Sequence, residues 1–301
     1  MSVNVLNETG TVLIFFASFF CIKTKHEEEC WRYKVAFRLF INNVIMVLAF
    51  IHNITTSASL IQSACALSVQ FNKTFGVFVI CASQSDEKTQ KASVLEQLNT
   101  LGIHPDYLAV QAFQLNDLTE MCEAKEVSFL FLQLPDNKVR TIKKHLYACR
   151  KLRVPYLIYK DGFDVLHPRK VLVPVNFLIE EIEKAQFAAA FGRFCYSEIT
   201  LLQAKDYGTK AAGNVAKIST ILDKFDLTYH IEIGRKDSFK IDSFALHHAR
   251  KNNYDLLIIS ASREYGLDDI VFGPKELHLI KKTDLPIMLI NPRDDLYVLC
   301  D

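Results

Sequence analysis

Runs of apolar, β-branched residues alternate with amphipathic stretches from about residue 44 onward. In the C-terminal half, KVLVPV at 170–175, YHIEI at 229–233 and DLLII at 255–259 predict strands, and residues 179–193, 211–224 and 241–251 have the spacing of helices. This alternation is typical of βαβ units that build a parallel sheet. Runs as continuously apolar as LLII indicate strands that are covered on both faces, as in a three-layer α/β sandwich.

The N-terminal half repeats this order of elements. VLAFIH at 47–52 aligns with VLVPVN at 171–176, and RVPYLIY at 153–159 aligns with DLPIMLI at 284–290. The two offsets, 124 and 131 residues, differ only by a few residues of loop. The pattern therefore predicts an internal duplication rather than one large domain.

The duplication sets the predicted domain organisation. We expect one domain over residues 46–160 and a second over residues 168–293, joined by the turn-rich linker Lys160–Pro168. Residues 294–301 form a tail (DDLYVLCD) whose centre is apolar. We expect this tail to dock on the sheet edge or on the other half.

Residues 1–45 do not fit the repeat. Their apolar run TVLIFFASFFCI at 11–22 is shorter than the roughly 20 residues that span a bilayer. The ten residues before it carry no positive charge, unlike the start of a signal peptide. Three alternatives stay open: a segment outside the native translation, which would begin at Met46, an extra helix, or a weak membrane-surface segment. We expect no integral membrane span.

Composition excludes some classes of protein and favours others. With 35 basic and 34 acidic residues the formal charge is +1, which gives no support to nucleic-acid binding. The eight cysteines form no CxxC pair and no cluster with zinc-ligand spacing. We interpret them as reduced thiols, mostly in the core, and expect a cytoplasmic protein with no metal site.

Two segments resemble the universal stress proteins. KVLVPVNF at 170–177 is similar to the first strand of that family, and residues 253–292 are similar to its fourth strand, nucleotide loop, last helix and fifth strand. The resemblance covers residues 168–293 and, more faintly, 46–160. It implies two tandem Rossmann-like α/β/α domains, each a five-stranded parallel sheet of order 3-2-1-4-5, joined as an internal pseudo-dimer that can oligomerise further.

The family's ATP-binding motif is only partly kept. ATP-binding members have Gly, two residues, Gly, nine residues, then Gly followed by Ser or Thr. Glycines let the backbone approach phosphates, and N–H groups at a helix start bind the anion. The matching positions here are Ser260, Arg263, Gly273 and Pro274, and Asn176 stands where the family usually has Asp.

The resemblance therefore implies a degenerate nucleotide site in the C-terminal half alone. The site residues that we predict are Val175, Asn176, Ser260, Ser262, Arg263 and Gly273. The ligand would be an adenine nucleotide, ATP with Mg²⁺, bound weakly. In the N-terminal half His52 matches Asn176, and LPDNK at 134–138 leaves no room for a phosphate loop. The same residues are also compatible with plain turns at the ends of strands.

No set of residues in the sequence has the pattern of a catalytic acid, base and nucleophile acting together. Ser262 lies in no GxSxG elbow, and the adjacent His247 and His248 face different directions on a helix. We expect a regulatory or protective binding protein rather than an enzyme. The alternatives are an interaction scaffold without nucleotide, whose protein partner the sequence does not name, and a slow ATP-hydrolysing enzyme.

Overall fold

The computed structural model describes residues 45–81, 86–262 and 274–293. These residues all belong to one compact unit. The predictions for residues 1–44, for Arg263 and Gly273 and for the tail lie outside the described residues. Within the described ranges, no helix has the length and the apolar character needed to cross a membrane.

Strands and helices alternate along the chain, as the hydrophobic pattern predicts. The strands are β1 Met46–Ile51, β2 Thr74–Cys81, β3 Tyr107–Ala112, β4 Val127–Leu134, β5 Tyr156–Lys160, β6 Lys170–Val175, β7 Glu198–Gln203, β8 Tyr229–Ile233, β9 Leu256–Ser260 and β10 Ile287–Ile290. The described α-helices are α1 Ala58–Gln70, α2 Glu87–Thr100, α3 Leu118–Ala124, α4 Val139–Cys149, α5 Lys184–Phe194, α6 Lys210–Asp223, α7 Ile241–Lys251 and α8 Lys275–Lys282.

The strand order within each half is the predicted 3-2-1-4-5, but the halves do not form separate sheets. All ten strands lie in one sheet of order β3-β2-β1-β4-β5-β10-β9-β6-β7-β8. β5 and β10 join the halves as an antiparallel pair, with Met288 opposite Leu157. The other pairs are parallel. Sequence could not foresee the join, because edge strands of two sheets pair through backbone groups that every residue carries.

The central strands are buried on both faces. Every residue of β1, β4 and β9 is buried, which explains why these strands are almost continuously apolar instead of alternating, with Ser128, Gln133 and Ser260 as their polar residues. The outer strands β3 and β8 are partly exposed and carry more polar residues. This places the helices on both sides of the sheet, in the predicted three-layer arrangement.

Aromatic packing adds to the contact between the halves. Phe191 of α5 is fully buried, and its ring lies 5.7 Å from that of Phe71 and 6.2 Å from that of Phe129, measured between centroids. Asn291, just after β10, donates from Nδ2 to the carbonyls of Cys149 and Leu152 at 2.7 and 2.8 Å. The two halves therefore share a core as well as a sheet.

One local prediction needs correction. The helix predicted from Ile179 to Arg193 begins as a 3₁₀ turn, Ile179–Glu183, and becomes α-helical only at Lys184. Pro274 is the N-cap of α8, with ψ of 157°, and the helix itself starts at Lys275. The tighter first turn matters because it directs the carboxylate of Glu181 back to the end of β6.

Candidate functional site

The carboxyl ends of β6 and β9 form the edge at which the sequence places a ligand site. β6 and β9 are parallel neighbours, with Val171 opposite Leu256. The predicted site residues Val175, Asn176 and Ser260 are buried at these strand ends, and Ser262 is half-buried just beyond. The structure therefore brings these four residues to one edge. Arg263 and Gly273 lie outside the described residues.

A buried ion pair fills the space at the end of β6. The Asn176 N–H donates to Oε2 of Glu181 at 3.0 Å, and the same oxygen accepts from Lys184 Nζ at 2.8 Å. Lys184 also donates to the carbonyl of Pro174 at 2.7 Å, and both charged side chains are fully buried. A backbone donor that a ligand would use is thus already bound by the chain's own carboxylate.

A buried carboxylate also accepts a backbone N–H group just beyond the end of β9. The N–H of Ser262 donates to Oε1 of Glu276, which lies in the first turn of α8 and is buried. Lys275 donates to Oδ2 of Asp242 on α7 at 3.1 Å. Among the described residues, the second oxygens of Glu181, Asp242 and Glu276 have no hydrogen-bond partner. The hydrogen bonds of this edge therefore involve three carboxylates and two lysines.

The electrostatics of this edge are acidic. Burial by itself lowers the pKa of Lys275, but the charges of Asp242, Glu276 and Glu181 outweigh burial and raise the pKa above its ordinary value. Burial raises the pKa of Glu276, and the neighbouring charge of Lys275 offsets part of that shift. Both shifts show closely spaced charges in surroundings that water screens poorly.

Hydrogen bonds hold the loops around this edge to one another. Asn214 on α6 donates from Nδ2 to the carbonyls of Asn176 and Leu178 at 3.0 and 2.7 Å. The N–H of Phe177 donates to Oγ of Ser238 at 3.0 Å, and the Ser238 N–H donates to Oδ1 of Asp206 at 2.9 Å. The loops after β6, β7 and β8 are therefore tied into one unit.

In the N-terminal half a side-chain amide binds the backbone N–H groups at the corresponding edge. Oε1 of Gln133, buried near the end of β4, accepts from the N–H groups of His52 and Asn53 at 2.8 and 2.9 Å. Its Nε2 donates to Asp161 Oδ1 at 2.9 Å. β4 ends at Leu134 and α4 begins at Val139, so the connection is as short as predicted.

A histidine pair lies at the same edge. Nε2 of His52 and Nε2 of His145 are 2.7 Å apart, and Nδ1 of His145 is 2.7 Å from the carbonyl of Thr141. Because a carbonyl only accepts, His145 carries its proton on Nδ1 when neutral, and its Nε2 accepts a hydrogen bond from the Nε2–H of His52. His145 is buried on α4.

Sequence reasoning missed the side chains that occupy the two edges. The sequence did not predict these side chains as site residues, because polar side chains are normally solvated: Gln133 on β4, and Glu181, Lys184, Asp242 and Glu276 on helical segments. One available signal was the spacing of Glu181 and Lys184, three residues apart within an otherwise apolar helical face. Glu276 was visible only as an acidic residue in a first helical turn.

The cysteines within the described residues are free, and three of the five are buried, in agreement with the interpretation as reduced thiols mostly in the core. Burial raises the pKa of Cys122 and of Cys195 to about 12 and raises the pKa of Cys149 as well. Cys65 and Cys81 also have raised pKa values, with burial as the main cause. Thiols with raised pKa values are poor nucleophiles at neutral pH.

Comparison with known proteins gives structural neighbours and no sequence match. No protein-family model and no curated protein sequence matches the chain. A universal stress protein from Archaeoglobus fulgidus DSM 4304 is similar with a TM-score of 0.59 and 16% identity, covering 82% of this chain and 97% of that one. A candidate universal stress protein from Pseudomonas aeruginosa UCBPP-PA14 has a TM-score of 0.55 and 14% identity, covering 84% and 94%.

A third structural neighbour is a domain of a cotransporter. The cytoplasmic domain of a prokaryotic cation chloride cotransporter is similar with a TM-score of 0.50 and 12% identity, covering 82% of this chain and 94% of that one. At these identities the likeness establishes the fold alone. The chain has the tandem fold of universal stress proteins, as its two resembling segments predicted.

Proposed function

We propose that this chain, which has the fold of tandem universal stress proteins, is a cytoplasmic regulatory or protective binding protein rather than an enzyme. Its ligand site is the carboxyl edge of the C-terminal half, around Asn176, Ser260 and Ser262. Open α/β sheets bind ligands at this edge, beyond the carboxyl ends of their strands. In the N-terminal half Gln133 holds the strand ends in place of a ligand.

One observation carries the expected ligand preference. Glu181 and Glu276 accept the N–H groups of Asn176 and Ser262, which lie at the strand ends where a bound ligand would find them. A nucleotide must displace these carboxylates and bring phosphate charge close to them. Like charges a few ångströms apart in a poorly screened site repel by several kcal/mol at most and by about 1 kcal/mol at the surface. ATP binding is therefore weak, and Mg²⁺ strengthens it by neutralising phosphate.

Calorimetric titration of ATP into the full chain, with and without Mg²⁺, tests this proposal. Glu276→Gln keeps an oxygen for the Ser262 N–H and removes one negative charge. We expect this variant to bind ATP about tenfold more tightly than the natural chain, which corresponds to about 1.4 kcal/mol. Glu198→Gln is the matched control, because Glu198 is half-exposed at the opposite end of β7 and should leave ATP affinity unchanged.

The alternatives predict different results. A scaffold that binds only proteins gives no heat and no thermal shift with millimolar ATP in either variant. Equal, micromolar affinity in the natural chain and in Glu276→Gln would show that the carboxylates do not restrict the site. Release of phosphate from labelled ATP would favour the slow ATP-hydrolysing enzyme.

A further inference from the structure

Large apolar side chains are exposed on the loops at this same edge. Phe239 is 86% exposed, Leu178 39% and Ile179 40%, and Tyr207 is fully exposed. The rings of Phe177 and Phe239 are 5.4 Å apart in a T-shaped arrangement. We call Phe177, Leu178, Ile179, Tyr207 and Phe239 the carboxyl-edge patch. Clustered apolar side chains of this kind mark surfaces that another segment or protein covers.

Hydrogen bonds connect the loops that carry the carboxyl-edge patch. Ser238, next to Phe239, bonds both the N–H of Phe177 and the carboxylate of Asp206, next to Tyr207. The N–H of Lys205 donates to the carbonyl of Lys236 at 2.8 Å, which links the same two loops again. A pre-formed surface of this kind binds a segment without first having to order itself.

The chain itself leads to this patch after its last strand. The N–H of Arg293 donates to Oε1 of Glu183 at 3.1 Å, at the end of the 3₁₀ turn that starts with Ile179. Ile179 lies about 8 Å back along that turn, at about 2.0 Å per residue. Three extended residues after Arg293 span about 10 Å and six span about 20 Å. Leu296 and Leu299 are thus within reach of the patch.

The chemistry of residues 294–301 matches the patch and its rim. Their centre, Leu296–Leu299, is apolar like the patch, and their ends carry three aspartates. The loops after β7 and β8, together with the first residue of α6, carry five exposed basic side chains and the two acidic residues Asp206 and Asp237, an excess of +3 from 5 − 2, whereas the turn after β6 carries the buried Glu180, Glu181 and Glu183. The basic residues are Lys205, Lys210, Arg235, Lys236 and Lys240.

From this placement we propose that the segment 294–301 docks on the carboxyl-edge patch of its own half, with Leu296 and Leu299 against Leu178, Ile179 and Phe239. The aspartates of the segment face the basic rim. The sequence left the sheet edge and the other half open as docking places. Asn291 bonds to carbonyls of the other half, whereas Arg293, two residues later, bonds to Glu183 of its own half.

Hydrogen–deuterium exchange on the full chain tests the docking. In Leu296→Ser/Leu299→Ser we expect the backbone of residues 176–180 and 235–241 to lose at least about tenfold in protection, because the variant loses the burial of two leucines. Phe239→Ser should deprotect residues 176–180 equally, and combining it with the tail variant should add little, because both remove one contact. Val69→Ser, an equally exposed apolar position on α1, is the matched control and should change neither region.

The competing outcomes are distinct. Unchanged exchange in the tail variant overturns the proposal, and so does deprotection of β3, of β8 or of the N-terminal half in place of the patch. As a second measurement, a labelled peptide DDLYVLCD should bind the tail variant at least several-fold more tightly than the natural chain, whose own tail competes at a high effective concentration. Equal peptide binding to both would also overturn the proposal. These measurements use no nucleotide, so failure of ATP binding does not affect them.

Discussion

Acid sensitivity centred on the pair of His52 and His145 is the prediction that the structure supports in most detail. Burial, the neighbouring His145 and Lys144 together lower the pKa of His52 to about 3. Burial and Lys144 also lower the pKa of His145, although its bond to Thr141 and the charge of Asp136 oppose that shift. His52 is therefore neutral in the folded protein well below neutral pH, and the pKa of His145 is shifted in the same direction.

The direction and the size of the stability change with pH follow from proton linkage. Below pH 6.5 an unfolded histidine binds a proton that the folded His52 does not, so stability falls as pH falls, until the pH approaches 3. With pKa values of about 6.5 unfolded and about 3 folded, lowering the pH from 7 to 4.5 removes about 2.5 kcal/mol through His52 alone. His145 changes stability in the same direction.

Urea unfolding followed by circular dichroism at pH 7.0, 6.0, 5.0 and 4.5 (values chosen to span the window from about 6.5 downward) measures this dependence. His52→Gln places an amide N–H near the position of Nε2, so the bond to His145 is kept while one titrating group is removed. We expect similar stability at neutral pH, and a loss on acidification that is smaller than that of the natural chain by about 2.5 kcal/mol.

Both proteins contain the same carboxylates. Comparing their changes in unfolding free energy between the same two pH values therefore cancels the contribution of carboxylate titration. His104→Gln, at an exposed position in a loop, is the control and should retain the full acid dependence of the natural chain. The same loss on acidification in His52→Gln as in the natural chain would refute the reasoning. It would mean that the histidine pair is already protonated, or open, in the folded protein at moderate acidity.

Two further predictions concern stability. Lys184→Met removes one partner of a fully buried ion pair and leaves Glu181 uncompensated, so we expect urea unfolding to show a loss of about 3–5 kcal/mol; a loss under 1 kcal/mol would show that water enters this edge. Phe191→Ala empties a fully buried site against Phe71 and Phe129 of the other half, and should cost about 3–5 kcal/mol. If the halves unfold independently in that variant, the transition should split in two, whereas a single transition shows that the shared sheet keeps them cooperative.

The strands and helices were largely readable from the sequence. β6, β8 and α7 have the predicted bounds, and the short connection after β4 was predicted as well. The physical reason is local: continuous apolar runs of five or six residues fit only strands that are covered on both faces. The repeat of that pattern after about 125 residues made the duplication visible, and the resemblance supplied the strand order.

The candidate site was predictable only in its position. Val175, Asn176, Ser260 and Ser262 do lie at one edge, because parallel strands of known order end on the same side of a sheet. Their partners come from elsewhere in the chain: Glu276 lies 14 residues after Ser262. No periodicity predicts which acidic side chain turns inward to a strand end, since that depends on the turn that precedes it.

The sequence by itself therefore determined the layers, the duplication and the edge at which ligands are expected, because these depend on local hydrophobic periodicity and on chain order. Only the tertiary structure decided that β5 and β10 merge the two sheets into one, and that Glu181, Glu276 and Gln133 occupy the strand ends. Both outcomes depend on which backbone N–H and C=O groups remain unpaired after the local elements have formed. Such groups accept any partner of suitable geometry, and that geometry exists only once distant segments have packed together.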